Sequence, residues 1–223
     1  MESRQRTESG VGPQFDAVAS VFVPAGFVVF APLRRGHGYS EGPNVVDQIQ
    51  QTFRAQGTQA ANLEMVHLME TEQLEDQLAA LSVLKNIDYV DPGRVVVAGC
   101  SYGGIESLLG AERKDAYKAA IAISPAALSW EGNSELRKRL IAGVANISIP
   151  VLLIQPAKDA SLEPARVLGD EFKRLGKSYL SKVYPPVGPE AEQKHCFGGA
   201  SGTHVWAPDA LQFAGKATFR IPP

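Results

Sequence analysis

Ser101 lies at the centre of a Gly-x-Ser-x-Gly pattern, residues 99–103, that could hold a reactive hydroxyl. The apolar run 95–98 before it is typical of a buried strand, and residues 104–110 after it have helical apolar spacing. A serine at a sharp strand-to-helix turn needs flanking glycines, because the strand and the helix approach each other closely there. The pattern therefore predicts that Ser101 is a nucleophile. The alternative is an ordinary glycine-rich turn.

A serine hydroxyl is a weak nucleophile at neutral pH, so it needs a neighbouring base that a carboxylate orients. For a serine at such a turn, the acid and then the histidine come later in the chain. Asp159 fits the acid because it follows a buried strand, with Glu163 as the fallback. Asp159 could instead be an exposed loop acid or a helix cap. His195 and His204 both follow the last predicted strand, and periodicity does not decide between them as the base.

Further groups near the turn could bind a substrate. The backbone N–H of Tyr102, at the start of the next helix, is expected to stabilise an oxyanion. Arg34, Arg35 and Tyr39 follow an apolar run, at the sheet edge where ligands bind in open α/β folds. They could hold an anionic or polar part of a substrate. For Arg35, a structural ion pair with an acid of a neighbouring loop is the competing interpretation.

Each of the two cysteines neighbours one of these residues, since Cys100 precedes Ser101 and Cys196 follows His195. Two cysteines cannot form a disulfide framework, and no metal-ligand spacing is present. We expect two small buried hydrophobic side chains. A disulfide is the alternative, because the sulfurs would lie close together if Ser101 and His195 meet.

Alternating strand and helix patterns surround these residues and predict how they are positioned. The alternation indicates a mostly parallel sheet with helices on both faces. The length favours a single domain, which we place at residues 14–223 after a loose segment 1–13. The predicted strands are 27–31, 95–98, 116–123, 149–154 and 179–184, and the predicted helices are 15–23, 45–53, 58–84 (one helix or two joined), 104–110, 134–144, 163–175 and one that begins at 209.

Composition excludes several classes of function. A net charge of −2 and an isoelectric point near 6.1 imply no polyanionic partner such as a nucleic acid. No apolar run approaches the length of a membrane-spanning helix, and the polar start lacks the apolar stretch of a signal peptide. We therefore expect no membrane partner and a cytoplasmic location.

The chain resembles the α/β-hydrolase superfamily, specifically the dienelactone-hydrolase-like serine esterases, over residues 14–216. The resemblance is carried by residues 30–40, 91–104, 184–186, 194–198 and 205–209. It implies a three-layer α/β-hydrolase fold. In similar proteins the catalytic histidine stands in a Gly-His-Gly-Phe-like element after the last strand. His195 matches that position, with Lys194 and Cys196 in place of the two glycines, so the resemblance implies a triad of Ser101, Asp159 and His195.

The start of the chain departs from this family. Similar proteins have an apolar strand that ends in a His-Gly loop before the first helix, and that loop supplies one N–H of the oxyanion hole. Only the polar residues 1–13 precede the first predicted helix here. We therefore expect the fold to lack the N-terminal strands, and the second oxyanion donor has no assigned residue.

The resemblance implies a serine hydrolase that cleaves carboxylic esters, short-chain or small aryl esters, through an acyl-enzyme on Ser101. Such a reaction needs no metal or organic cofactor. The expected partner is a small-molecule ester, and the expected state is a monomer or a small homo-oligomer. Two alternatives stay open. One is a serine peptidase of the prolyl-oligopeptidase type, which shares the turn and the residue order, and the other is a non-enzymatic binding module on the same scaffold.

Overall fold

A computed structural model describes residues 13–185 and 195–219, which form a layered α/β structure. The helices are α1 Pro13–Phe22, α2 Val45–Gln56, α3 Thr58–Leu68, α4 Leu74–Lys85, α5 Tyr102–Ala111, α6 Ser134–Gly143, α7 Glu163–Arg174 and α8 Thr203–Thr218. The strands are β1 Val96–Cys100, β2 Ala119–Ile123, β3 Val151–Pro156 and β4 Tyr179–Tyr184. Shorter helical pieces are a π-helical turn Met69–Gln73 and 3-10 turns Val144–Asn146 and Cys196–Gly202.

The four strands form one sheet in the order β1-β2-β3-β4, and every neighbouring pair is parallel. Parallel neighbours require crossover connections, and the helices α5, α6 and α7 lie in those connections. The prediction of a parallel sheet with intervening helices is confirmed. Cys100 ends β1 level with Ile123 at the end of β2, so the residues after these strands lie at one edge of the sheet.

Alternate strand residues face opposite sides of the sheet and build two cores. On one face, Ala120 and Leu153 pack with helices α5, α6 and α7 around the fully buried Phe172. On the other face, Ile121 and Ile154 pack with the α8 residues Trp206, Ala207, Ala210 and Ala214 and with α1. Helices therefore cover both faces, which is the expected three-layer arrangement.

The predicted helix over 58–84 is present as α3 and α4, joined without a break by the π-helical turn Met69–Gln73. Met69 and Gln73 of this turn are buried, and Met69 packs in the same core as α5. The Thr71 hydroxyl donates to the carbonyl of His67 at 2.7 Å. This continuous segment brings Glu72 of the π-helical turn and Asp76 of α4 to the loop that carries Arg35.

Two predictions of secondary structure are wrong. Residues 27–31 are not a strand, because they pair with no neighbour among the described residues, and Val28 and Phe30 are 46% and 42% exposed. An apolar, β-branched run indicates strand propensity, but the strand forms only where a partner accepts its backbone hydrogen bonds. The last helix begins at Thr203 rather than at 209, and Pro208 lies inside it.

The loose segment 1–13 lies almost entirely outside the described residues, so its structure and the domain limits stay predictions. Within 13–185 and 195–219, the first strand along the chain is β1. Among the same residues, none of the helices combines the length and the apolar character needed to cross a membrane.

Candidate active site

Ser101 lies at the sharp turn between β1 and α5, as the motif predicts. Its φ of 56° is in the left-handed region, and its N–H donates to the carbonyl of Ile123 at 2.9 Å. A non-glycine residue in that region costs about 1–3 kcal/mol and persists where the surroundings hold it. A Cβ on Gly99 would lie 2.4 Å from the backbone of Gly103, so the close approach of strand and helix requires glycine there.

Asp159 and His195 meet in the structure, although 36 residues separate them in the chain. The His195 Nδ1 is 2.8 Å from the Asp159 Oδ1. The Asp159 side chain is completely buried, and its carboxylate also accepts from the N–H of Ala160 at 2.8 Å and the Gln155 amide at 3.3 Å. Because a carboxylate only accepts, Nδ1 must donate, and Nε2 becomes the basic nitrogen of the neutral ring.

The His195 Nε2 is buried and has no hydrogen-bond partner among the described residues. The Ser101 hydroxyl therefore does not donate to it in this structure, although catalytic hydrogen bonds often form only when substrate binds. The rival residues lie elsewhere. His204 is exposed on the first turn of α8, and Glu163 is paired with Arg166 on the surface of α7. The assignment of Ser101, Asp159 and His195 as catalytic stays a prediction.

Cys100 and Cys196 form a disulfide, with their Cα atoms 5.9 Å apart. The expectation of two separate thiols is therefore wrong. The bond joins the residue before Ser101 to the residue after His195, so the two segments that carry these side chains are held side by side. Sequence could not decide this point, because the pairing depends on a contact between residues 96 positions apart.

Tyr102 contributes its backbone N–H and its ring to the turn. As the first residue of α5, its N–H has no acceptor within the helix and lies at the positive end of the helix dipole. Its hydroxyl is buried, and burial raises its pKa against the opposing effect of the neighbouring Arg34. The guanidinium carbon of Arg34 lies 4.3 Å from the centre of the Tyr102 ring, which is cation–π geometry.

The two arginines have different environments. Arg35 donates to Asp76 at 2.7 Å and contacts Glu72 at 3.2 Å, and its hydrogen bonds lower the pKa of Asp76. Arg35 thus holds its loop to α4 and the π-helical turn, which is the structural interpretation rather than the substrate-binding one. Arg34 contacts the His37 ring at 3.1 Å through Nη2 and also interacts with the Tyr102 side chain. Tyr39 is 56% exposed.

Sequence analysis missed Glu106, a buried acid on α5 one turn after Tyr102. Glu106 is only 6% exposed, and neither of its carboxyl oxygens has a hydrogen-bond partner among the described residues. Burial raises its pKa from 4.5 to about 8, against the opposing attraction of Arg34. A signal was present in the sequence, because residue 106 is the acid within an otherwise apolar and small-residue helix.

A mostly apolar cavity of about 790 Å³ runs beside β1 and reaches the disulfide. Its lining includes residues of β1, of the irregular segment 27–33 and of helices α1 and α8. Gly99, Cys100 and Cys196 are among its lining residues, so the cavity opens next to the turn that carries Ser101. Its chemistry suits an apolar group.

Part of the chain matches a known family. The model of the prolyl oligopeptidase family, Peptidase_S9, matches residues 59–135, a span that contains Ser101 but neither Asp159 nor His195. An uncharacterized peptidase of Bacillus subtilis, YtmA, is 28% identical over 198 residues, which cover 74% of this chain and 68% of the relative.

Solved peptidase structures share the fold at low sequence identity. An acylaminoacyl peptidase of Pyrococcus horikoshii matches with a TM-score of 0.56 and 16% identity, over 71% of this chain and 30% of that one. Dipeptidyl peptidase 4 of Porphyromonas gingivalis matches with a TM-score of 0.52 and 17% identity, over 66% and 23%. A puromycin-hydrolyzing peptidase of Mycobacterium tuberculosis gives 0.56 and 18%, over 70% and 27%. The chain thus spans less than a third of the length of these structures.

These matches confirm the α/β-hydrolase fold. They do not support the dienelactone-hydrolase-like assignment, because the matching family model and the similar proteins described above are peptidases. They support the peptidase alternative better than the esterase interpretation.

Proposed function

We propose that this chain is a serine peptidase of the prolyl-oligopeptidase type, which hydrolyses amide bonds of short peptides through an acyl-enzyme on Ser101. The observation that carries the proposal is the His195–Asp159 pair, at 2.8 Å, tied by the disulfide to the turn that bears Ser101. The match of residues 59–135 to the prolyl oligopeptidase family supports an amide rather than an ester as the bond that is cleaved.

Each residue has a definite role in the proposed reaction. The Ser101 Oγ attacks the substrate carbonyl while the His195 Nε2 takes its proton, and Asp159 holds the imidazole through Nδ1 and stabilises the resulting cation. The N–H of Tyr102 stabilises the developing oxyanion. His195 then returns the proton to the leaving amine, and water, activated by the same base, releases the acid from Ser101.

Substrate recognition is proposed for two neighbouring features. The guanidinium of Arg34, which lies over the Tyr102 ring, would bind an anionic or carbonyl group of the peptide, since a guanidinium favours planar oxygen acceptors. The apolar cavity beside Cys100 and Cys196 would accept an apolar side chain. The proposed partner is therefore a small peptide-like molecule, not a nucleic acid or a membrane.

The proposal is tested with a matched pair of substrates, an aminoacyl p-nitroanilide and the p-nitrophenyl ester of the same amino acid. We expect turnover of the anilide by the wild-type chain and a fall of about 10⁴-fold or more in kcat for Ser101→Ala. His195→Ala should show a comparable loss, whereas His204→Ala, the matched control on the surface of α8, should keep wild-type kcat.

Other outcomes point to the other functions. Turnover of the ester with no detectable turnover of the anilide would restore the esterase interpretation. If a fluorophosphonate probe labels neither the wild-type chain nor any variant, Ser101 is not an activated nucleophile and a binding module becomes the better description. Equal loss in His195→Ala and His204→Ala would refute the assignment of the base.

A further inference from the structure

We propose that the Cys100–Cys196 disulfide is a reversible positioning clamp for His195. When oxidised it holds the imidazole beside Ser101, and its reduction by a small dithiol lowers turnover while the sheet stays folded. The inference rests on the proposed function, because it concerns the same base and the same nucleophile. Nothing in the reaction itself uses the sulfur atoms, so their place beside both residues calls for another role.

The disulfide fastens a loop to a rigid strand. Cys100 is the last residue of β1 and lies in register with Ile123 of β2, so the sheet fixes its backbone. Cys196 begins a 3-10 turn and belongs to neither a strand nor an α-helix. The bond therefore fixes Cys196, the residue that follows His195, relative to β1.

Left-handed backbone conformations cluster around the disulfide. Ser101, Cys196 and Phe197 have φ values of 56°, 54° and 57°, and none of them is glycine. Such conformations persist only where the surroundings hold them. Phe197 is held by its burial and by an edge-to-face contact with Tyr184 at 5.7 Å. Cys196 is held by the disulfide.

His195 directly precedes this left-handed pair, so its position depends on what holds Cys196. The ring is also restrained by the hydrogen bond to Asp159 at 2.8 Å and by its burial, since only 22% of the side chain is exposed. Once the disulfide opens, Cys196 can leave the left-handed region, and the chain direction at His195 changes. The hydrogen bond to Asp159 and the packing around the largely buried ring must then hold the imidazole, and the position of Nε2 relative to the Ser101 turn is no longer fixed through Cys196.

The redox step is an ordinary thiol–disulfide exchange. One thiolate of a small dithiol attacks a sulfur of the disulfide and forms a mixed disulfide, which the second thiol of the reductant then displaces. The S–S bond breaks, Cys100 and Cys196 become two thiols, and the reductant becomes a disulfide after giving up two electrons. Both cysteines are partly exposed and both line the cavity, which provides access.

The sheet and the first of its two cores are held by other contacts, whereas Cys100 packs against the second core beside α8. Hydrogen-bonded pairing holds the four strands together, and the core between the sheet and helices α5, α6 and α7 contains neither cysteine. The chain has two cysteines in total, so reduction has a single target. Any effect of a dithiol on the protein can therefore be assigned to this disulfide.

The test compares the oxidised chain, the chain reduced with dithiothreitol and the reoxidised chain. We expect kcat/KM for the p-nitroanilide to fall on the order of 100-fold on reduction, as for other small misplacements of a catalytic group, and to recover on reoxidation. A second readout is the His195 Nδ1–H proton in NMR spectra, assigned by its absence in His195→Ala. This resonance should be present in the oxidised chain and lost on reduction, with an unchanged far-ultraviolet circular dichroism spectrum.

The Cys100→Ala/Cys196→Ala double variant is the matched control, and dithiothreitol should change neither of its readouts. Two free thiols in the unfolded, unreduced chain, or a circular dichroism spectrum that collapses on reduction, would overturn the clamp. The clamp would also be overturned if reduction changed neither the His195 resonance nor the turnover. Measurable turnover would in that case leave the proposed function intact. A resonance lost on reduction in a chain that turns over neither substrate would instead keep the clamp and refute the peptidase.

Discussion

Glu106→Gln should stabilise the protein above pH 5, by an amount that grows with pH. Burial raises the pKa of Glu106 from 4.5 to about 8, while Arg34 favours the charged form and Asp76 opposes it. At pH values between these two pKa values, Glu106 keeps its proton in the folded state but has released it in the unfolded state. The free energy of unfolding therefore falls as the pH rises, and the neutral amide of the variant removes this dependence.

The size of the effect follows from the two pKa values. Each pH unit between them is worth about 1.4 kcal/mol, so the penalty of the wild-type carboxyl is about 1 kcal/mol at pH 5 and about 3 kcal/mol at pH 7. Gln and the protonated acid bury similar unpartnered polar atoms, so their other contributions nearly cancel. We expect the variant to gain about 2–3 kcal/mol over the wild type between pH 5 and pH 7.

Urea unfolding at pH 5, 6 and 7, followed by circular dichroism, measures this difference. Glu75→Gln is the matched control, because Glu75 is exposed on α4, and its effect on stability should be small and the same at each pH. If the free-energy gap between wild type and Glu106→Gln stays constant from pH 5 to pH 7, Glu106 is not protonated in the folded state and the argument from burial is refuted.

Three further substitutions test the architecture of the site. Gly99→Ala should lower the free energy of unfolding by about 3 kcal/mol or more in thermal melts, since its Cβ would lie 2.4 Å from the backbone of Gly103. Gly103→Ala meets nothing within 4 Å and should have a much smaller effect. Asp159→Asn should lower kcat about 10³–10⁴-fold in anilide assays, and a loss under tenfold would contradict its role. Asp76→Asn should cost about 1.5–3 kcal/mol at pH 7 in urea unfolding, because it breaks the charged hydrogen bonds to Arg35. Since Arg35 lowers the pKa of Asp76, this cost should be complete above pH 3.8 and vanish as the pH falls through that lowered value.

Local patterns predicted the position of Ser101 well, because the required geometry is encoded within about ten neighbouring residues. The valine run specifies β1, Gly99 permits the close approach, and the small residues after Ser101 begin α5. The order of acid and histidine likewise pointed to Asp159, and the family resemblance chose His195 over His204; the structure brings Asp159 and His195 within hydrogen-bond distance.

Features that depend on contacts between distant parts of the chain could not be predicted from local sequence patterns. The pairing of Cys100 with Cys196 depends on how two distant loops meet, and the failure of residues 27–31 to form a strand depends on which neighbours pair with them. The burial of Glu106 depends on what packs over α5, which helical periodicity does not reveal for a single acid. Arg35 has an ion-pair role because α4 supplies Asp76 from 41 positions away.

The π-helical turn Met69–Gln73 is equivalent to one residue inserted into a continuous helix. Such a turn rotates everything after it by about 100° relative to an uninterrupted α-helix, since an α-helix has 3.6 residues per turn. Asp76 comes after the insertion and Glu72 lies within it, yet both face Arg35. Deletion of a single residue from this turn would restore regular α-helix and turn Asp76 away from the loop that follows residue 33. The orientation of that loop, and of Arg34 above the Tyr102 ring, is therefore sensitive to the exact length of a helix that never touches the reacting groups.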